Sequence, residues 1–308
     1  MEFISIKEAA KRWELTERMV RGYCNEKRIE GAIFENRTWL IPDDAEKPQR
    51  RTTKPPKKEK SVPNSLVKRI LYEKGKNNHY GIYEYIQVNL TYSSNRMASN
   101  RLIRDQVVDL FRTDKVSVSF EPMKVDDLLE TIAHFDCVRI IIDNLSAPIT
   151  EDLIKRLHKV LFYGTYADRK KEVRPGCYRK DVRKWGTRPE FIEKELHALI
   201  KWYEKLPQPM MEDILEFHVR FEKIHPFEDG NGRVGRLLLM KECLRYNIEP
   251  FIIDDKRRSR YHTGIATWHA NHSLLTEVCQ EAQERFHAHR ELCKLMLYHR
   301  PPTGRGAK

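Results

Sequence analysis

One stretch of the sequence gathers most of the groups that chemistry could use: His225, Pro226, Phe227, Glu228, Asp229, Gly230, Asn231, Gly232, Arg233, Val234, Gly235 and Arg236 follow one another. An imidazole, with an ordinary pKa of about 6.5, can take a proton from an attacking hydroxyl at neutral pH. The carboxylate of Asp229 can hold Mg²⁺, which usually takes one or two protein carboxylates and fills its remaining positions with water and phosphate. Glycines on both sides of Asn231 let an anion approach the backbone and allow the positive φ angles that a nest of N–H groups needs. Arg233 and Arg236, three apart on one helical face, can fork onto phosphates beyond that nest. The combination suits phosphate chemistry.

Two elements must position these groups. Ile214, Phe217, Phe221 and Ile224 recur at helical spacing, which predicts an amphipathic helix over residues 211–224 ending at His225 and Pro226. Leu237, Met240 and Leu244 repeat the period toward Tyr246. The stretch therefore reads as a helix-loop-helix connection, with Phe227 pointing inward as its anchor. The second helix opens at Gly230, Asn231 and Gly232, and its first N–H groups, unpaired within the helix and at the positive end of its dipole, make an anion site.

Read as a whole, the stretch resembles the signature of the Fic family, His-x-Phe-x-Asp/Glu-Gly-Asn-Gly-Arg-x-x-Arg, with every specified position filled. Eight matches at roughly one in twenty each make a chance hit far rarer than about one in a million. The resemblance implies a protein adenylyltransferase, a nucleotidyltransferase that moves AMP from ATP to a Tyr, Ser or Thr hydroxyl of a protein target or of itself. It makes His225 the general base and Asp229 the Mg²⁺ ligand. Gly230, Asn231 and Gly232 become the anion hole, Arg233 a phosphate ligand and Arg236 the holder of the γ-phosphate. In the related Doc-type kinases the Gly232 position resembles lysine, and the nucleotide lies the other way round.

The segment near residues 91–102 bears on regulation. Many Fic proteins carry an inhibitory helix resembling Ser/Thr-x-x-x-Glu-Gly/Asn, whose glutamate pairs with the second arginine of the catalytic motif. With Ser94 in the serine position, Ala98 occupies the glutamate position and Ser99 the glycine position. A methyl group cannot pair with Arg236, so the resemblance implies that this brake is absent. The family's flap, a β-hairpin beside the active site, is resembled by residues 173–186, and its edge could take up an extended target segment by strand addition. Tyr261 stands where family members often place an aromatic beside the adenine; the other reading of it is a core tyrosine.

The first residues form a different module. Ser5 and Glu8 make a capping-box pattern ahead of Ala9, Ala10 and Trp13, and Thr16 caps a second helix with Met19, Val20 and Tyr23 inward and Arg18 and Arg21 outward. Residues 32–34 and 39–41 flank a turn that includes Arg37, as a small hairpin or wing. Residues 1–46 resemble the winged helix-turn-helix of excisionase and MerR-like proteins, which implies DNA binding through Arg18, Arg21 and Arg37; a module for protein contacts is the alternative. Residues 47–62, rich in lysine and proline with almost no apolar side chains, read as a basic linker that adds phosphate contacts or is simply solvated.

Residues 63–308 return to helical periodicity without sustained alternation. The fold class is mainly α: a Fic-type helical domain with the hairpin flap and a minor strand at residues 116–118, preceded by the small winged module. His287 and His289, two apart, do not share a helical face and make no metal pair. The 308 residues carry 57 Lys+Arg against 45 Asp+Glu, a net charge of +12, which suits polyanionic partners such as nucleotide or nucleic acid. Six scattered cysteines without a Cys-x-x-Cys pair fit a reducing cytoplasm, and neither a leader nor an apolar run of membrane-spanning length is expected. The expected partners are ATP, Mg²⁺, a protein substrate and DNA, with no membrane and a homodimer left open. The rival reading is a DNA-binding transcription regulator whose helical domain senses nucleotide without catalysis. A third keeps the enzyme and changes the donor to UTP or a choline-bearing nucleotide.

Overall fold

The computed structural model describes residues 3–13, 15–25, 29–35, 38–48, 65–76, 80–116 and 123–298. The chain divides into two compact units, Met1–Lys60 and Ser61–Lys308.

In the first unit, β1 (Phe3–Ser5) leads into α1 (Ile6–Trp13), followed by α2 (Glu17–Asn25) and the strands β2 (Ile33–Glu35) and β3 (Thr38–Pro42). The capping box forms as expected: Ser5 N–H and hydroxyl both donate to Glu8 Oε2 at 2.8 Å, and Glu8 N–H donates back to Ser5 Oγ at 3.3 Å. Ile6, Ala9, Ala10 and Trp13 then fall on one helical stripe and bury against Val20, Cys24, Ile29 and Ile41. The hairpin pairs Ile33 with Leu40, and β1 adds to the far side of β3, pairing Phe3 with Pro42, so the sheet order is β1-β3-β2. That third strand was not anticipated. Phe3, Ile4 and Ser5 are too few to show alternation, and only their pairing with β3 makes them a strand.

The second unit is helical throughout: α3 (Ser65–Gly75), α4 (Ile82–Met97), α5 (Arg104–Thr113), α6 (Val125–Asp143), α7 (Glu151–Phe162), the short α8 (Tyr166–Arg169), α9 (Pro189–Glu204), α10 (Met211–Ile224), α11 (Asn231–Arg245), α12 (Arg258–Thr267) and α13 (Ser273–Tyr298). α11 is the spine. Its residues are buried except Gly232 and Arg245, and it packs against α4, α6, α7 and α10. A helix covered on every side belongs to the interior of a domain. Even Lys241 is fully buried, its ammonium held by Glu242 Oε1 at 2.7 Å and the Ala147 carbonyl at 2.6 Å.

Of two strand expectations, that at residues 116–118 falls largely outside the described residues and the flap hairpin fails. Val116 is in no strand and residues 117–122 lie outside the described residues. Residues 173–186 contain no strand either, so the flap is not a β-hairpin. Its N–H groups go elsewhere: Cys177 closes a turn onto Arg174 O at 3.0 Å, and Arg179 donates to Pro226 O at 2.9 Å. Thr187, just beyond it, donates to Ile224 O at 3.2 Å. The segment binds the end of α10 instead of itself. Nearly all of the linker expected at residues 47–62, and with it Arg37 and the Arg18 side chain, lies outside the described residues, while Arg21 is exposed on α2.

Candidate active site

α10 ends at His225, whose φ of 50° and ψ of 62° turn the chain sharply out of the helix. Phe227 is fully buried and lies flat on the His158 ring, with centroids 3.8 Å apart. Asn231 clips the loop shut, accepting from Phe227 N–H at 2.9 Å and donating to Phe227 O at 3.0 Å. Its amide is thus spent on holding the loop. Gly230 precedes α11 with φ +77°, and a Cβ there would stand 2.4 Å from Phe162. Across this start Val234 N–H donates to Gly230 O at 3.0 Å, so the N–H groups of Asn231, Gly232 and Arg233 precede the helical ladder, the arrangement of an anion nest.

His158 on α7 joins three segments. Gly176 N–H donates to its Nδ1 at 2.9 Å, which fixes the neutral tautomer and leaves Nε2–H to donate to Asp229 O at 3.1 Å. Burial holds its pKa near 4. It was missed in the sequence, although Ile154, Leu157, His158 and Leu161 show a histidine seated in an apolar stripe.

The motif's charged groups are brought together around one cleft of about 760 Å³, within the range of ligand pockets. Its walls come from His225, Asp229, Gly230, Asn231, Gly232, Arg233 and Arg236, from Met97 and Ala98 at the end of α4, from Trp185 to Thr187, and from Arg258 and His262. Burial, then the charges of Arg183 and Arg179, lower the His225 pKa to about 4, so its imidazole is neutral at pH 7. The Glu222 backbone near the ring acts weakly in the opposite sense. Trp185 stands edge-on to it at 4.1 Å.

Both arginines are buried, at 2% and 6% exposure. Arg233 pairs with Glu130 Oε2 at 3.0 Å and Asp229 Oδ2 at 3.4 Å and lies over the Phe162 ring, while its Nε has no partner. Arg236 donates through Nε to Ser94 Oγ at 3.1 Å and through Nη2 to Ser94 O at 3.0 Å. Ser94 belongs to α4, whose C-cap is Ala98; Ser99 beyond it adopts φ +71°, the left-handed conformation that favours glycine. Glu222, a further carboxylate in the wall, is pushed up to about 7 by burial.

Asp229 keeps a largely solvent-exposed carboxylate, 66% accessible, with Oδ1 accepting from Gly230 N–H at 2.6 Å. Among the described residues no three His, Cys, Asp or Glu side chains cluster to cage a metal. One reachable carboxylate beside a phosphate nest fits Mg²⁺ bound with water and phosphate, and does not fit zinc. Of its two readings, Tyr261 matches the core tyrosine and not the adenine neighbour. It is fully buried, its hydroxyl hydrogen-bonds His218, and it is not in the cleft wall, where its neighbour His262 stands instead.

Comparison with known proteins places this geometry. Residues 148–243 match the model of the Fic/DOC family. The sequence is 35% identical over 88 residues to a protein adenylyltransferase Fic of Nematostella vectensis, covering 27% of this chain and 20% of that protein. It is 40% identical over 73 residues to a probable protein adenylyltransferase of Aquifex aeolicus, covering 21% and 22%. The chain thus spans about a fifth of the length of these relatives. The fold is similar to a Fic-domain signalling protein of Bacteroides thetaiotaomicron, with TM-score 0.59, 19% identity and coverage of 79% of this chain and all of that one. It is similar also to Fic-1 of Caenorhabditis elegans, with TM-score 0.59, 17% identity and coverage of 76% and 74%. Sequence likeness is concentrated on the segment that holds the site, while the fold likeness extends over most of the chain.

Proposed function

We propose that the second unit is a protein adenylyltransferase that transfers AMP from ATP to a Tyr, Ser or Thr hydroxyl of a protein, or of the chain itself. One observation carries the reading: a neutral imidazole stands in the same cleft wall as the glycine-flanked start of a helix and two buried arginines. The target hydroxyl attacks the α-phosphorus in line as His225 takes its proton. The new oxygen–phosphorus bond forms, the α–β anhydride breaks, and pyrophosphate leaves. The donors of the helix start lower the charge developing on the α-phosphate, where preorganised dipoles act most strongly. Arg233 and Arg236 hold the outer phosphates. Asp229 would hold Mg²⁺, whose charge, when bound, neutralises the phosphate oxygens.

Ala98 in the cleft wall gives Arg236 no carboxylate from α4, so ATP enters without a release step. For the first unit we assign DNA binding, with α2 presenting Arg21 toward the major groove; failure of residues 1–60 to retard any genomic fragment would refute it. For the enzyme, His225→Ala should abolish transfer of label from ATP labelled at the α-phosphate while leaving the melting curve intact. Transfer persisting in that variant refutes the role of His225. Intact mass that never gains AMP, together with DNA binding altered by ATP, would favour the nucleotide-sensing regulator.

A further inference from the structure

Arg179 is charged, yet 2% exposed. Its guanidinium spends its donors on main-chain carbonyls: Nε to His225 O at 2.8 Å, Nη1 to Asp181 O at 2.7 Å and Nη2 to Thr187 O. Its own N–H donates to Pro226 O at 2.9 Å. A buried charge is costly unless its hydrogen bonds are made, and here the acceptors belong to two segments far apart in sequence. The flap segment is thereby bolted to the turn that ends α10.

Two further features depend on this bolt. His225 is a non-glycine residue in left-handed conformation, and such strained residues persist where the surroundings over-determine them. Arg179 binds the carbonyl of that same residue. Gly186 has φ +91°, and a Cβ on it would stand 3.0 Å from Arg179 Nη2 and 3.2 Å from His225 Cβ. The flap backbone therefore lies directly on both side chains, and Trp185 beside it reaches the imidazole edge.

We propose that Arg179 is the positioning residue for His225: its planar fork holds the carbonyls on both sides of the imidazole's turn and so sets the direction in which the ring faces the cleft. The proposal rests on the assignment of His225 as the base. Lysine cannot replace the arginine, because an ammonium on a flexible stem lacks the fork that reaches three carbonyls at once. The hydrogen bonds of Arg179 go to His225, Pro226, Asp181 and Thr187 and none goes to the phosphate end from Gly230 to Arg236, so its loss should act on turnover and leave nucleotide affinity alone.

The test uses the full chain with Arg179→Lys and Arg179→Ala, measuring AMP transfer, ADP affinity by calorimetry, the ring resonances of His225 by NMR and the melting temperature. The expected result is a fall in kcat of about tenfold to a hundredfold, the range for a misplaced catalytic group, with shifted and broadened His225 resonances. ADP affinity and KM for ATP should stay within about twofold, the pattern of an interaction that acts in the transition state. Low-millimolar guanidinium should restore part of the activity of Arg179→Ala. Unmoved His225 resonances with unchanged kcat in a folded variant overturn the proposal, as does a parallel loss of kcat and ADP affinity that tracks a lowered melting temperature. Should Arg179→Ala fail to fold, Arg179→Lys decides by the same readouts. If the unaltered chain transfers no AMP, the functional reading fails, and the NMR comparison still decides whether Arg179 orients the ring.

Discussion

Gly230 and Gly232 stand two apart at the same helix start, and the structure predicts opposite consequences for an added methyl group. At Gly230 the φ of +77° is unfavourable for alanine, and the new Cβ would lie 2.4 Å from Phe162 Cε2. Phe162 is 1% exposed and held between Arg233 and His158, so it has no room to retreat. The left-handed conformation costs about 1–2 kcal/mol. Overpacking adds about 1–3 kcal/mol. Gly230→Ala should therefore lose about 2–5 kcal/mol, which for a unit of this size lowers the melting temperature by roughly 5–15 °C. At Gly232 the backbone is helical and the nearest atom is Arg236 Nη1 at 2.8 Å, the far end of a long side chain. Gly232→Ala should melt within about 2 °C of the parent. Its cost falls on the ligand instead: displacing Arg236 removes a charge-assisted contact and should weaken ADP binding by about tenfold or more. Circular dichroism melts and calorimetric titration with ADP read the two quantities separately. If Gly230→Ala melts with the parent, or Gly232→Ala melts below Gly230→Ala, the packing described around Phe162 and Arg236 is wrong.

The remaining predictions concern charge. Burial holds His134 and His218 near 3 and His158 near 4, whereas unfolding returns each to about 6.5; at pH 5 the unfolded chain binds the extra protons, and each histidine costs about 2 kcal/mol of stability. Glu222, raised to about 7, acts in the opposite sense, favouring the folded state by about 2 kcal/mol at pH 5 relative to pH 7.5, and His225, held near 4, adds to the loss, so denaturant melts should show a net loss of about 4 kcal/mol or more between those values. A stability that is flat or rises on acidification would contradict the buried neutral histidines. In AMP transfer, kcat/KM should hold steady as pH falls from 7 and drop only near 4, where His225 protonates; an acid limb near 6.5 would contradict its burial and its flanking by Arg183 and Arg179. Ala98→Glu should place a carboxylate beside Arg236 and cut labelling about tenfold, with Ala98→Gln near the parent; equal labelling in all three would remove Ala98 from any regulatory account.

Much of the site was legible because its chemistry is local. Residues 211–224 have helical apolar spacing, and the structure gives that same helix; the loop's inward Phe227 and the helix start at Gly230 also follow from residues close in sequence. What stayed hidden depends on contacts across the fold. β1 exists only through β3, and the expected flap hairpin is lost because its N–H groups find the end of α10. Tyr261 could be read as a cleft aromatic by resemblance or as a core tyrosine, and packing decides for the second by turning its hydroxyl to His218. Glu130 and Arg179 resemble ordinary surface charges in the sequence, and only their buried partners, Arg233 and a set of carbonyls, reveal what they do. His158 alone left a trace, as a polar residue on an otherwise apolar helical stripe.

The interior position of α11 bears on how such a protein can change. Its first turn lines the cleft and its remaining turns are packed on all sides, so almost any alteration of the cleft end is also an alteration of the core. Novelty is confined to the rim: the last residues of α4, the flap, and the side of α12 that carries Arg258 and His262. Substitutions there can reshape what the cleft admits without disturbing the packed helix beneath it.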